Sequence, residues 1–411
     1  MIKPLVKCCA GLDVHRATVV CTVIKEGKRG QINKETREYS SYRKSLLELG
    51  RWLCSKDVEL AVMESTSVYW KPVYEVLEGL LPRIYLVNSR HVKNVPGRKT
   101  DVKDSEWLAE LARCGLLRSS FIPPRDFREI RFLTRYLMKL SGYIASEKNR
   151  LHKTLDDCGI KLGCVVADMG GLTATSIIDA LIEGKMTPEQ MAELARTHLR
   201  KKKAELRMSL HQDLSDRHRY LLRCIQNHLR WLEKQRQEIG CQVVAAMEPY
   251  RQEWQLLQTI PGFDELSAAL LLAEIGIDMG RFGKSDQLTS WAGVCPGSHE
   301  SAGKNKSGRT RKGNKYLRQM LCEASNSARK TESQFKYLYQ GLAIRRGHNR
   351  AILAIGRKLL EIGFVILSRK EPYKDPKVDY EKLLVMRNAP RWISKLRKYG
   401  YLPVNLKQKA A

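Results

Sequence analysis

The first 120 residues alternate short β-rich runs with helically spaced ones, and beyond residue 126 the strand signals largely vanish. That pattern restricts the chain to an α/β domain followed by helical ones. Leu5–Leu12 and Thr18–Ile24 flank a short polar turn and predict a hairpin, and Glu35–Ser40 supplies a third strand. Tyr42–Cys54 sets Leu46, Leu47, Leu49, Trp52 and Leu53 at helical spacing. Glu59–Met63 reads as a short buried strand, and a helix follows through Tyr69, Val73, Val76 and Leu77. Arg83–Val87 is another strand, and after a basic loop a helix runs from about Asp101 to Cys114.

From 126 to 250 the chain is rich in Leu, Arg, Lys, Glu and Gln. Glu147–Leu155 and Arg217–Gln237 read as parts of long amphipathic helices, paired as an antiparallel coiled coil, with the glycine-bearing Gly159–Gly171 between them. Such a segment serves either as a solvated spacer or as a dimerisation element. Further on, LLQTIPGFDELSAALLLAEIG places two short apolar helices around Pro261 and Gly262, a helix-hairpin-helix-like arrangement. A turn of that kind can point backbone N–H groups at a phosphate, and a plain helix–helix corner would look the same. The expected organisation is an α/β domain over 1–120, a helical spacer over 121–250, a mainly helical domain over 251–385 and a basic tail over 386–411.

Lys and Arg number 73 against 44 Asp and Glu, a formal charge of +29. Such a surplus repels itself in the compact state, and a polyanion relieves it, which points to nucleic acid. The charge is concentrated. Residues 301–318 hold Lys304, Lys306, Arg309, Arg311, Lys312, Lys315 and Arg318 with no acid, and the tail from Arg387 holds seven more bases with none. The 11 cysteines show no C-x-x-C spacing and read as reduced small side chains. The most apolar stretch, Leu266 to Ile277, is interrupted by Glu274 and is too short to span a bilayer. A cytoplasmic protein with no membrane partner is expected.

The order β-β-β-α-β-α-β-α is that of a ribonuclease-H-like domain, a mixed sheet with helices packed on it. In that order Asp13 falls at the end of the first strand, Glu64 follows the Glu59–Met63 strand, and Asp101 and Asp104 open a helix at i, i+3. Singly, each acid can be a cap or turn residue. Together at one rim they would repel each other unless divalent cations sat among them. Mg²⁺ or Mn²⁺ takes such hard oxygen ligands, and a pair of ions can stabilise the attacking and leaving oxygens of a phosphodiester.

GLDVHRATVVCTV, AVMESTSVYW and GRKTDVKDSEWLAELARCG resemble the DEDD transposases of the bacterial insertion-sequence one-ten family. LLQTIPGFDELSAALLLAEIG and DQLTSWAGVCPGSHESAGKNKSGRTRKGNKYLRQML resemble that family's C-terminal transposase domain. The resemblance implies a RuvC-like N-terminal domain whose four metal-binding acids fall on Asp13, Glu64, Asp101 and Asp104. It implies a nucleophilic serine just after the Cys-Pro-Gly block, best matched by Ser301, with Ser298 and Ser307 as rivals. It further implies recombination of donor and target DNA through a serine–DNA linkage, a structured bridge RNA from the same element, and a homodimer or homotetramer.

A serine hydroxyl needs activation by a base or a metal. His299 is the one histidine close to it in sequence, and it can equally be a bystander. Two other readings stay open on the sequence. A junction-resolvase-like nuclease would use the acids and water alone, and a nucleic-acid-binding protein could sit on an inactive nuclease fold.

Overall fold

The computed structural model describes residues 5–27, 31–65, 67–89, 92, 104–212, 214–297, 299–301, 304–376 and 380–403, leaving aside the side chains of 299–301, 304–307, 380, 381 and 384. The chain divides into two compact units, Met1–Ile122 and Pro123–Ala411.

The first unit runs β1 (Cys8–Val14), β2 (Thr18–Glu26), β3 (Ile32–Ser40), α1 (Arg43–Ser55), β4 (Leu60–Glu64), α2 (Trp70–Leu77), β5 (Ile84–Val87) and α3 (Asp104–Arg113). The element order is the expected one, with strand limits moved by a few residues. The five strands lie in the order β3-β2-β1-β4-β5. β1 pairs antiparallel with β2, and β2 with β3, whereas β1, β4 and β5 run parallel. Alternation along β1 sorts its residues between two layers. Cys8, Ala10, Leu12 and Val14 pack with Leu46, Leu49 and Leu53 of α1 and Val73 and Leu77 of α2. Cys9 packs with Leu60 and Val62 of β4 and with Leu108, Ala109, Leu111 and Ala112 of α3. Central strands covered on both faces explain why β1 and β4 are almost wholly apolar. Burial pushes the Cys9 thiol up to about 12, so it acts as core filling and not as a nucleophile. The cysteines are unpaired, and Cys54, Cys164, Cys224 and Cys241 are exposed, so only some of them fill the core.

The second unit opens with α4 (Arg125–Asp157), 33 residues and therefore about 50 Å long. It packs along α6 (Asp216–Ala245), 30 residues. Glu147 meets His228, and Ser141 meets Arg236, so the two helices run antiparallel, as the sequence predicts. The interruption at Gly159–Gly171 is more than a loop. Between α4 and α6 the chain folds into a helical tip that includes α5 (Leu172–Glu183), and Leu162, Ile177, Ile178, Leu206 and Leu210 join Leu151, Leu155, Leu222 and Leu229 in one buried cluster.

The remainder comprises α7 (Arg251–Gln258), α8 (Glu265–Ile275), α9 (Ser285–Ala292), β6 (His299–Ser301), β7 (Lys304–Ser307), α10 (Lys315–Ala328), α11 (Gln334–Arg346), α12 (His348–Arg369) and α13 (Tyr380–Lys398). α8 is apolar on all sides and is accordingly buried, packing against α4, α7 and α10. The basic tail is helical over much of its length, since Arg387, Arg391, Lys395, Arg397 and Lys398 lie on α13. Among the described residues no helix is long and apolar enough to cross a membrane.

Candidate active site

Asp13 and Glu64 each stand one residue beyond the Leu12–Met63 pair, at the C-terminal ends of the adjacent parallel strands β1 and β4. By alternation both belong to the α3 face, as do Cys9 on β1 and Leu60 and Val62 on β4. α3 comes down on this face at Gly11. A Cβ there would lie 2.0 Å from the Ser105 carbonyl oxygen and 2.5 Å from the Ala109 nitrogen. Ser105 is buried and its hydroxyl meets Thr22 Oγ1 at 2.8 Å, while Thr22 Oγ1 meets Thr36 Oγ1 at 3.0 Å. This hydroxyl chain ties the first turn of α3 to β2 and β3. Asp104, the residue before Ser105, is thereby carried to the same side of the sheet as Asp13 and Glu64.

Asp13 is partly exposed, and its Oδ2 lies 3.1 Å from Nε2 of His15. Nothing in the sequence singles out His15 beyond the Asp-Val-His spacing at a strand end. Asp101 lies outside the described residues. Among the described residues no three His, Cys, Asp or Glu side chains are grouped closely enough to hold a metal ion. The donors that the fold brings to this edge are carboxylates, the hard oxygen ligands that suit Mg²⁺ or Mn²⁺.

Ser301 ends β6 and pairs with Lys304 at the start of β7, so it sits at the tip of a short hairpin. Ser307 and His299 are paired with each other toward the base, and Ser298 lies outside the described residues. The basic run is therefore not simply a loop leading into a helix. Lys304 and Lys306 are on β7, Arg309, Arg311 and Lys312 are exposed on the segment entering α10, Lys315 is exposed at the first position of α10, and Arg318 is half-buried on that helix. The hairpin closes at its base. Gly297 N–H donates to the Arg309 carbonyl at 3.1 Å, Pro296 bridges Thr310, and Gly293 lies against Gly313. A Cβ on Gly293 would lie 2.6 Å from the Gly313 nitrogen, and one on Gly313 2.3 Å from the Ala292 carbonyl oxygen. The Gly-Val-Cys-Pro-Gly and Arg-Lys-Gly-Asn blocks thus meet through glycines.

Pro261 and Gly262 form the turn between α7 and α8, with Gly262 at φ +90°. Its α-carbon faces the backbone of Ala324 and Ala328 on α10, so this side of the turn is taken up by packing. Asp264 and Ser267 cap α8 reciprocally.

This unit also holds a buried ionic cluster that no motif announces. Glu274, 2% exposed, accepts from Arg135 Nε at 2.7 Å and Nη2 at 2.9 Å and from Asn314 Nδ2 at 2.6 Å, and lies 3.0 Å from Arg131 Nε. Burial pushes its carboxyl up, but the Arg135 hydrogen bonds and the charges of Arg131 and Arg135 outweigh that and hold it below its ordinary value. Burial brings the Arg131 guanidinium down to about 10, which leaves it charged at neutral pH. The signal was present, because Glu274 is the lone charge in the most apolar stretch of the chain.

Residues 10–160 match a family model described as a transposase of the DEDD type, and residues 254–340 match one described as transposase IS116/IS110/IS902 family. A probable family 20 transposase of Pseudomonas aeruginosa is 27% identical over 330 residues, covering 77% of this chain and 86% of that protein. The transposase for insertion sequence element IS1111A of Coxiella burnetii is 32% identical over 135 residues, 31% of this chain and 36% of that protein. With the carboxylate-bearing and the hairpin-bearing segments both matched to insertion-sequence transposases, over more than half its length, the chain belongs to that family and is a DNA transposase.

Proposed function

We propose that the protein cuts and rejoins donor and target DNA with a RuvC-like, ribonuclease-H-like domain at its N-terminus and a serine nucleophile in its C-terminal half. The observation that carries the first part is the placement of Asp13 and Glu64 on neighbouring parallel strand ends, under the helix that Asp104 opens. The sheet order supports the RuvC-like assignment. Asp13, Glu64, Asp104 and Asp101 would hold Mg²⁺ or Mn²⁺, which when bound supplies positive charge to a scissile phosphate. The carboxylates' own part is to fix those cations while leaving room for substrate oxygens.

Ser301 is the proposed nucleophile, and its place at a hairpin tip supports that choice over Ser307 at the base. Attack forms an Oγ–P bond and breaks a P–O bond of the DNA strand, and the proton that the Ser301 hydroxyl gives up balances the one taken up by the departing sugar oxygen. The phosphodiester energy is kept in the serine ester for rejoining. Lys304, Lys306, Arg309, Arg311, Lys312, Lys315 and Arg318, with the Pro261–Gly262 turn, would hold nucleic acid through its phosphates. A structured bridge RNA is the proposed guide, and a homodimer or homotetramer the working form.

The test uses the full chain, Mg²⁺, any copurified RNA and labelled DNA carrying an element junction. A protease-sensitive adduct is expected with the wild type and with Ser298→Ala and Ser307→Ala, and none with Ser301→Ala. Asp13→Asn, Glu64→Gln and Asp104→Asn should bind DNA without cutting it. Free cut ends with no adduct would replace this reading by a resolvase-like nuclease that uses the carboxylates and water.

A further inference from the structure

The hairpin that carries Ser301 has a fixed base. Its two legs are joined by the Gly297–Arg309 hydrogen bond, the Pro296–Thr310 bridge and the backbone contact of Gly293 with Gly313. Whatever orients that base orients the hairpin. The residue next to the base is Asn314, and it acts in two directions. Its Oδ1 accepts from the backbone N–H groups of Tyr316 and Leu317 at 3.1 and 3.2 Å, capping α10. Its Nδ2 donates to Glu274.

Glu274 is in turn gripped by Arg131 and Arg135, both on α4, and the Arg135 guanidinium also lies 4.6 Å from the centre of the Tyr316 ring. One buried carboxylate therefore ties the base of the hairpin to the long helix α4. Stability alone is a poor reason for such an arrangement, since well-packed apolar side chains serve as well as a buried ion pair. What directional bonds add is a defined position. We propose that Glu274 is a positioning residue for strand cleavage, acting through Asn314 to set the hairpin that bears the nucleophile. This rests on the reading of Ser301 as the attacking residue.

Asn314→Ser separates the two functions of Asn314. Serine caps a helix about as well as asparagine, but its short hydroxyl does not reach Glu274. The expected result is an unchanged melting temperature, unchanged affinity for junction DNA, and a rate of adduct formation lowered about ten- to hundredfold. Asn314→Asp, an equally good cap whose carboxylate repels Glu274, is expected to lose the rate likewise. Glu274→Gln, which keeps an oxygen for Asn314, should retain more of it than Glu274→Ala. Wild-type rates in Asn314→Ser and Asn314→Asp, with Ser301→Ala inactive, would overturn the positioning role alone. An adduct that persists in Ser301→Ala would overturn the serine reading and this inference with it.

Discussion

Gly11 and Ser105 meet backbone to backbone, closer than any side chain on Gly11 would allow. The contact seats α3 on β1 two residues before Asp13 and sets the start of that helix beside the strand ends. Gly11→Ala should therefore push α3 off the sheet, at a cost of about 1–3 kcal/mol. A lowered melting temperature together with loss of strand cleavage is expected. A variant as stable and as active as the wild type would show that α3 does not set the carboxylate edge.

Acid should loosen the second unit through Glu274. Its carboxyl is held below its ordinary value of 4.5 in the folded chain. Its contribution is thus complete above that value and is lost as pH falls through the lower folded value. Melting temperatures measured from neutral pH down through 4.5 should fall less steeply for Glu274→Gln than for the wild type. At neutral pH Glu274→Ala should cost about 3–5 kcal/mol, because it leaves Arg131 and Arg135 facing a cavity.

Glu147 presents the opposite case. It is buried between α4 and α6 with Oε2 lacking a hydrogen-bond partner among the described residues, while His228 and Arg150, which meet Oε1, are exposed enough to rehydrate. Glu147→Leu is expected to leave stability unchanged or to raise it by up to about 1 kcal/mol. Calorimetry showing a loss of several kcal/mol would mean that the seam depends on this carboxylate.

Nucleic-acid affinity should fall steeply with salt. With six to ten phosphate contacts the loss is about 10³–10⁵ between roughly 50 and 200 mM. Alanine at Lys304, Lys306, Arg309, Arg311 and Lys312 should flatten that slope and weaken binding to all sequences alike. A salt slope unchanged by the five substitutions, in a mobility-shift titration, would move the binding surface elsewhere.

The α/β half was legible because two-sided burial writes itself into the chain. Only apolar runs such as Leu60–Met63 fit between α1 and α3, and the acids that end β1 and β4 break those runs visibly. The β6–β7 hairpin left no such trace. His299–Ser301 and Lys304–Ser307 have no apolar alternation, and the pairing rests on glycine contacts at Gly293 and Gly313 that lie 20 positions apart. Long helices are visible at α4 and α6 through their periodicity, whereas the tip between them shows in the sequence only as a glycine-bearing break. Its helices are short, and they bury their apolar residues against one another and against Leu151, Leu155, Leu222 and Leu229 of α4 and α6. Glu274 could be seen as a charge out of place, whereas its partners on α4 and α10 are remote in sequence and no spacing announces them.

The out-and-back path of α4 and α6 makes the tip a graft. Its chain enters and leaves at neighbouring points, and its core is closed by the facing ends of α4 and α6 alone among the long helices. One family match ends at residue 160 and the other begins at 254, so the tip lies between them. A reporter or a foreign domain spliced between Gly184 and Thr187, in the short connection after α5, would ride at the far end of a lever about 45 Å long.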